Sequence, residues 1–91
     1  MWFEWDPEKA RTNKQKHDVT FEEAAGCFAD KDAVDLEDPV HPERLLLIGM
    51  STSLRLLCTV YALREHGDTI RIISARKATK KERQVYEEGD F

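Results

Sequence analysis

A change of hydrophobic period near residue 33 limits what this chain can fold into. Before it, apolar residues recur at helical spacing. After it, Val34 and Leu36 alternate with Asp35 and Glu37, as in a half-buried strand. Further segments rich in Leu, Ile and Val follow, separated by short turns. A chain that begins helical and continues as closely spaced strands is expected to form an α+β domain with an antiparallel meander.

Two helices are predicted before that change. Asp6 is a suitable N-cap and Pro7 fits the first helical position, so a very polar helix is expected over 7–17. Thr20 and Glu23 have the spacing of a capping box. They predict a second, short amphipathic helix that runs to about residue 29.

Four strands and a last helix are predicted after the change. The strands are expected over 34–37, 44–51, 54–64 and 69–75. A second capping box, Thr79 with Glu82, predicts a final helix that ends at Gly89. The expected order is ααββββα, with two N-terminal helices, a four-stranded mainly antiparallel sheet and helices covering one of its faces.

Length and composition predict one soluble domain over residues 1–91. Chains rarely divide below roughly 150 residues. The longest apolar stretch, Leu45 to Met50, is far shorter than the ~20 residues of a membrane span. No signal-peptide pattern opens the chain, so a cytoplasmic protein without membrane contact is expected. Cys27 and Cys58 have apolar neighbours and are predicted to be buried free thiols.

Charge is distributed unevenly along the chain. The net charge is −4, but residues 21–43 carry −7 and residues 69–83 carry +5. Nucleic-acid binding follows a local basic patch rather than the total charge. The basic segment is therefore either a surface for an anionic partner or the solvated face of a charged surface helix.

Most common kinds of chemical site find no support in the sequence. His17, His41 and His66 are scattered, and neither HxxxH nor CxxC spacing occurs. The four glycines are isolated, so no phosphate-binding loop is predicted. Local context supports no Ser/His/Asp triad. We therefore expect neither a bound metal nor another cofactor.

Arginine is unusually frequent on the predicted strands. The five residues are Arg44, Arg55, Arg64, Arg71 and Arg76. Edge strands often carry charge for solubility alone, which is the simplest explanation of any single one. Together, planar guanidinium groups on a rigid sheet suit contacts to phosphate and stabilisation of the charge that grows during phosphoryl transfer.

Several motifs match the pattern of one family. They are Phe3-Glu4-Trp5-Asp6, Asn13 with Lys16-His17, Phe21-Glu22-Glu23-Ala24, Glu43-Arg44, Ile48-Gly49-Met50-Ser51, Val60-Tyr61 with Arg64, Ile70 to Ala78, Glu82-Arg83 and Tyr86. On these motifs the chain resembles the BrnT family of bacterial toxins over essentially its whole length. The Ile-Ser-Ala-Arg stretch at 73–76 is the most specific. Asp18 departs from the pattern, because the family usually has Gly there.

The resemblance implies a RelE-like fold and an endoribonuclease that arrests growth by cleaving RNA. The implied partner is a BrnA-like antitoxin with a ribbon-helix-helix domain, and a hetero-tetramer of toxin and antitoxin is compatible with it. Toxin and antitoxin together would repress their operon, and this chain would reach operator DNA only through the antitoxin.

The implied reaction uses the 2′-hydroxyl of the RNA against the adjacent phosphate. Arg76 and Arg64 are expected to act on that phosphate as clamp and transition-state stabiliser. Glu43 and His17 are the candidates for proton transfer, since both types of side chain can be tuned. The remaining expected RNA contacts are Arg44, Arg71, Lys77 and Tyr86.

Other roles for these residues stay open. His17 also suits the C-terminus of a helix, and Tyr86 also suits packing in a core or against a partner. The competing function is a catalytically inactive RNA- or protein-binding module of the same fold. A small DNA-binding regulator ranks last, because no helix-turn-helix pattern is present.

Overall fold

A computed structural model describes residues 1–89 and shows an α+β fold around one sheet. The strands are β1 (Trp2–Glu4), β2 (Val34–Glu37), β3 (Leu45–Met50), β4 (Leu56–Arg64) and β5 (Thr69–Lys77). The helices are α1 (Pro7–His17), α2 (Phe21–Gly26) and α3 (Lys80–Glu88), and single 3-10 turns follow α2 and β4. The single domain predicted for residues 1–91 includes residues 90 and 91, which lie outside the described part.

The sheet has five strands, in the order β1-β5-β4-β3-β2. The strands β2 to β5 form the predicted antiparallel meander, and β1 lies parallel to β5. The prediction of four strands was therefore wrong, and the element order is βααββββα. Three residues are too few to show alternation. Their partner strand is also distant in sequence, since Glu4 contacts Arg71 across 67 positions.

Helix starts follow the predicted caps. The carboxylate of Asp6 accepts a hydrogen bond from the Glu8 amide at 2.9 Å. The second capping box is reciprocal, because Thr79 Oγ1 accepts from the Glu82 amide and Glu82 Oε1 accepts from the Thr79 amide. Asp18 ends α1 with φ of 59°, a left-handed conformation that favours glycine. The departure from the family pattern therefore falls at a strained C-cap.

The helices lie on both faces of the sheet. One core joins Phe21 and Ala24 of α2 to strand residues such as Leu57 and Ile72. A smaller core on the other face contains Ile48, Leu56 and Cys58, with Ala78 and Tyr86 packed against it. The prediction that all helices cover one face was wrong. Residues 78–79 turn the chain from the end of β5 to the opposite side, and helical spacing alone does not reveal which side that is.

Two further features are the cysteines and a network of side-chain hydrogen bonds. Cys27 and Cys58 are buried free thiols, as predicted, and burial raises the pKa of each to about 12. Arg55 donates to Glu23 through Nε at 3.0 Å and through Nη2, and Ser51 Oγ donates to the same carboxylate at 2.6 Å. This network ties α2 to the turn between β3 and β4.

Candidate active site

One face of the sheet is only partly covered. Side chains alternate along a strand and paired residues share a face, so even-numbered residues of β4 lie on the α3 side. Beyond the smaller core, this face consists of three cross-strand pairs, Val60–Ser74, Ala62–Arg71 and Arg64–Thr69. We call these pairs the open face. Most of their side chains are partly or fully exposed.

Four of the five strand arginines lie on or beside the open face. Arg64 and Arg71 belong to it, Arg76 pairs with Cys58 where α3 begins to cover the sheet, and Arg44 immediately precedes β3. Arg55 does not belong to this group, because its guanidinium is committed to Glu23. The sequence alone did not separate it from the other four.

These arginines differ in their ionic partners. Arg71 donates to Glu4 at 2.9 Å, and Arg44 lies 3.7 Å from Glu43. Arg64 is exposed, and within residues 1–89 no carboxylate lies within 4.0 Å of its guanidinium. Its full charge is therefore available to a ligand of the open face.

Arg76 is held by two hydrogen bonds to one carboxylate. Its two terminal nitrogens donate to the two oxygens of Glu82 at 2.8 and 2.9 Å. The pair raises the pKa of Arg76 and lowers the pKa of Glu82, in which the hydrogen bond outweighs partial burial. Glu82 thus caps α3 and fixes the guanidinium. The sequence predicts its capping role and gives no sign of the second.

The two arginines expected at one phosphate share a face and lie at opposite ends of it. Arg76 pairs with Cys58, six positions from Arg64 along β4. At ~3.3 Å per residue, six positions correspond to about 20 Å. The backbones of the two arginines are therefore well separated along this face.

His17 borders the same region from the side. C-terminal to Arg71, the partner of Glu4, the edge of β5 has no strand neighbour among residues 1–89, and α1 lies there instead. Asn13 makes the hydrogen bonds that a neighbouring strand would make, because its side chain donates to the Ala75 carbonyl at 2.8 Å and accepts from the Ala75 amide at 3.1 Å. A cleft of about 300 Å³ between α1 and β5 is lined by both His17 and Ser74. His17 is therefore at the rim of the open face, beside the Val60–Ser74 pair at its α3 end.

The other expected site residues are less close to that point. Glu43 is exposed in the loop before β3, within 3.8 Å of both His41 and Arg44. Lys77 pairs with Leu57 and so belongs to the other face of the sheet. The structure therefore groups Glu43 with Arg44, away from His17.

Tyr86 has a structural partner. Its hydroxyl donates to Asp30 Oδ2 at 2.7 Å, and the same carboxylate oxygen accepts from the Met50 amide at 2.8 Å. The hydrogen bond to Asp30 raises the pKa of Tyr86 to about 12. Its ring packs against the smaller core, so Tyr86 anchors α3 to the sheet.

Two further observations concern residues 1–89 only. No three side chains of the types that bind metals come together within this part of the chain. None of its helices combines the length and apolar character that crossing a bilayer requires.

The comparisons with known proteins agree with this architecture. The family model of BrnT, the ribonuclease toxin of type II toxin–antitoxin systems, matches residues 5–82. Among solved structures, the chain is similar to the Brucella abortus ribonuclease toxin BrnT, with a TM-score of 0.70 and 24% sequence identity. That match covers 88% of this chain and 99% of the Brucella chain. No curated protein sequence matches. With more than half of its length matched by the family model, the chain belongs to the BrnT family of ribonuclease toxins.

Proposed function

We propose that this chain is a metal-independent endoribonuclease that cleaves a single RNA strand lying across the open face. The observation that carries the proposal is the placement of Arg64, which is exposed, without a carboxylate partner in residues 1–89, and on the same face as Arg71 and Arg76. A row of guanidinium groups on a rigid sheet matches the repeated phosphates of an RNA backbone.

Arg76 acts at the phosphate that is cut. Its guanidinium is fixed in advance by Glu82, so little reorganisation is needed when negative charge grows on the phosphate oxygens. Nη1 also donates to the Lys77 carbonyl at 3.2 Å, so the Nε–H and the second Nη2–H are the groups that stay available to that phosphate. Arg64, about 20 Å away along β4, holds a second phosphate and sets the course of the strand. Arg44 and Arg71 contribute charge between these ends.

His17 is the first candidate for proton transfer. The 2′-hydroxyl must lose a proton as it attacks phosphorus, and the leaving 5′-oxygen must gain one. Arginine stays protonated near neutral pH and serves neither step well. His17 lines the cleft beside Ser74, between Arg71 and Arg76 in β5. Glu43 is the second candidate and would act from the Arg44 end.

The remaining expected contacts have smaller roles. Lys77, at the end of β5, meets the RNA only where the strand leaves the sheet. Tyr86, a residue of α3, offers a ring edge, while its hydroxyl stays with Asp30.

The test is cleavage of naked RNA by the purified chain in the presence of EDTA. The wild type is expected to cut, and Arg76→Ala is expected to lower the rate about 10²-fold or more. Arg64→Ala should mainly raise KM. Arg11→Ala, which removes an exposed arginine on α1, is the matched control and should cut normally. Activity that disappeared with EDTA and returned with magnesium would refute the metal-independent scheme.

We further propose that the chain works as one cytoplasmic toxin domain of RelE type whose activity arrests growth. Membership of a toxin–antitoxin family implies an antitoxin partner. We propose a BrnA-like ribbon-helix-helix protein that forms a hetero-tetramer with the toxin, and through which the pair binds operator DNA and represses its operon. Co-expression should give a stable complex that shifts operator DNA, and the toxin alone should not shift it.

The alternative is a catalytically inactive RNA- or protein-binding module. The pairing of Arg71 and Arg76 with glutamates favours it, because each pair reduces the free positive charge of the sheet. RNA binding without cleavage, with or without ribosomes, would establish this alternative.

A further inference from the structure

Trp2 is an exposed aromatic residue on a regular strand. About 74% of its surface is accessible, although β1 is paired to β5. The next residue, Phe3, packs edge-to-face on Phe28 under the sheet, with ring centroids 5.3 Å apart. The residue after that, Glu4, contacts Arg71 of the open face. By alternation, Trp2 lies on the same side as Glu4, beside the open face.

Trp2 stands in one row with Arg64. In register, Trp2 pairs with Thr69 of β5, and Thr69 pairs with Arg64 of β4. Two strand spacings of ~4.8 Å place the backbones of Trp2 and Arg64 about 10 Å apart, with only the small Thr69 side chain between them. An indole and a guanidinium that has no carboxylate partner in residues 1–89 therefore flank the same short stretch of surface.

The position of Trp2 is fixed by its backbone. The Trp2 amide donates to the Asp68 carbonyl at 3.0 Å. The residues Trp2 to Glu4 then pair in parallel with Thr69 to Arg71 of β5. The ring is thus presented from a rigid strand rather than from a mobile tail. A platform that is already ordered loses little entropy when a flat ligand stacks on it.

The surroundings favour a nucleotide over an apolar protein segment. An apolar helix or strand would need further apolar side chains around Trp2, whereas its neighbours on this side are Thr69, Arg64, Glu4 and Arg71. An aromatic ring beside an arginine is the combination that binds unpaired bases and their phosphates.

We propose that Trp2 stacks on an unpaired RNA base whose adjoining phosphate contacts Arg64. This inference rests on the proposed function, because it takes RNA as the ligand of the open face. It adds a stacking site at the end away from Arg76, which would bind a base distant from the cut bond and raise affinity for single-stranded substrate.

The experiment uses a single-stranded 2′-O-methyl oligonucleotide of mixed sequence, which lacks the attacking hydroxyl and stays intact. Tryptophan fluorescence of the wild type should be quenched on binding. Trp2→Phe should lose most of that change, because Trp5 packs against Phe21 in the core. The dissociation constant should rise about 5- to 100-fold in Trp2→Ala. It should rise much less in Trp2→Phe, which keeps a ring.

Leu63→Ala is the matched control. Leu63 is also exposed, at 52%, and it lies at the same end of the hairpin on the opposite face. The affinity of Leu63→Ala for the oligonucleotide should stay within about twofold of that of the wild type. Thermal unfolding of all three variants confirms that each is folded.

The outcomes separate this inference from the proposed function. If the wild type binds and cuts RNA but Trp2→Ala binds equally well and fluorescence is unchanged, the stacking site is refuted and the ribonuclease stands. If the wild type neither binds nor cuts RNA, both are refuted. If Trp2→Ala keeps RNA affinity and loses a protein partner, the surface serves that partner and the stacking site is again refuted.

Discussion

The two faces of the sheet are built from the same strands and have opposite characters. Under α1 and α2, the strands contribute Leu57, Ile72 and other apolar side chains to the larger core. On the other side, the short helix α3 covers only one end, and the open face presents Arg64 and Arg71. The first face can hold the fold together, and the second is left free to bind.

The difference shows how one strand contributes both to the core and to the surface that we propose binds RNA. In β4, Leu57 and Tyr61 belong to the larger core, while Arg64 reaches the open face by simple alternation. A substitution on either side of this strand therefore changes one property and spares the other. The most direct tests of the comparison replace one residue on each side.

The largest expected effect concerns the covered face. Phe21 has no accessible surface and packs edge-to-face on Trp5 at 5.8 Å. Phe21→Ala should lower the free energy of unfolding by about 3–5 kcal/mol. Arg64→Ala should change it by no more than about 0.5 kcal/mol, because Arg64 is exposed. Urea unfolding measures both values. Comparable losses in the two variants would mean that the open face also stabilises the fold.

The next effect concerns Asn13, which attaches α1 to the edge of β5. Asn13 is buried and makes three hydrogen bonds, two with the Ala75 backbone and one with the Val19 carbonyl. Asn13→Ala leaves these backbone groups without partners and should lower stability by about 1–3 kcal/mol. Cleavage should also fall, because α1 carries His17 to the rim of the open face.

Gln15→Ala is the control for Asn13→Ala. Gln15 is exposed on the same helix, so its loss should change stability by less than about 0.5 kcal/mol and leave cleavage intact. Equal effects of the two variants would show that Asn13 does not hold α1 against β5.

Much of this fold was predictable from local chemistry. Capping residues such as Thr79 act within one helical turn, so the helix starts were predicted correctly. The meander was predictable because hairpin partners are close in sequence. The strand β1 was not, since its three residues are defined by a partner far along the chain. The side on which α3 packs was missed for the same reason, because only tertiary contacts select it.

The candidate site was also predictable only in part. Arginine on strands predicted a basic sheet surface, but sequence did not distinguish Arg55, bound to Glu23, from the exposed Arg64. That distinction depends on which carboxylates the fold brings near each guanidinium. The shared face of Arg64 and Arg76 depends on strand register, and a bulge between Val60 and Tyr61 shifts that register in a way that sequence does not reveal.

A smaller effect tests how α3 limits the open face. Tyr86→Phe removes the hydroxyl that donates to Asp30 and should lower stability by about 1 kcal/mol. Because the pKa of Tyr86 is raised to about 12, this contribution is complete below the ordinary phenol value of 10.0 and is lost as pH rises through 12. The wild type and Tyr86→Phe should therefore converge in stability at high pH. Curves that stay parallel there would mean that the hydroxyl does not hold α3.

The smallest effect concerns Glu82, at the boundary between α3 and the open face. Arg76 lowers the pKa of Glu82 below its ordinary 4.5, so the pair stabilises the fold above that pH, and this is lost as pH falls through the lower, folded value. Glu82→Gln keeps an acceptor for the Thr79 amide and removes the charge. On acidification the free energy of unfolding of the wild type should fall by about 0.5 kcal/mol more than that of this variant, a small value because solvent screens the partly exposed pair.

Glu87→Gln, an exposed change on the same helix, should follow the wild type, and urea unfolding between neutral and acid pH measures all three curves. An identical loss of stability at acid pH in the wild type and Glu82→Gln would mean that Glu82 does not hold Arg76. Arg76 would then have a free guanidinium like Arg64, while Arg71 would stay paired with Glu4. Advance positioning by Glu82 would no longer support the role at the cut phosphate that we propose for Arg76.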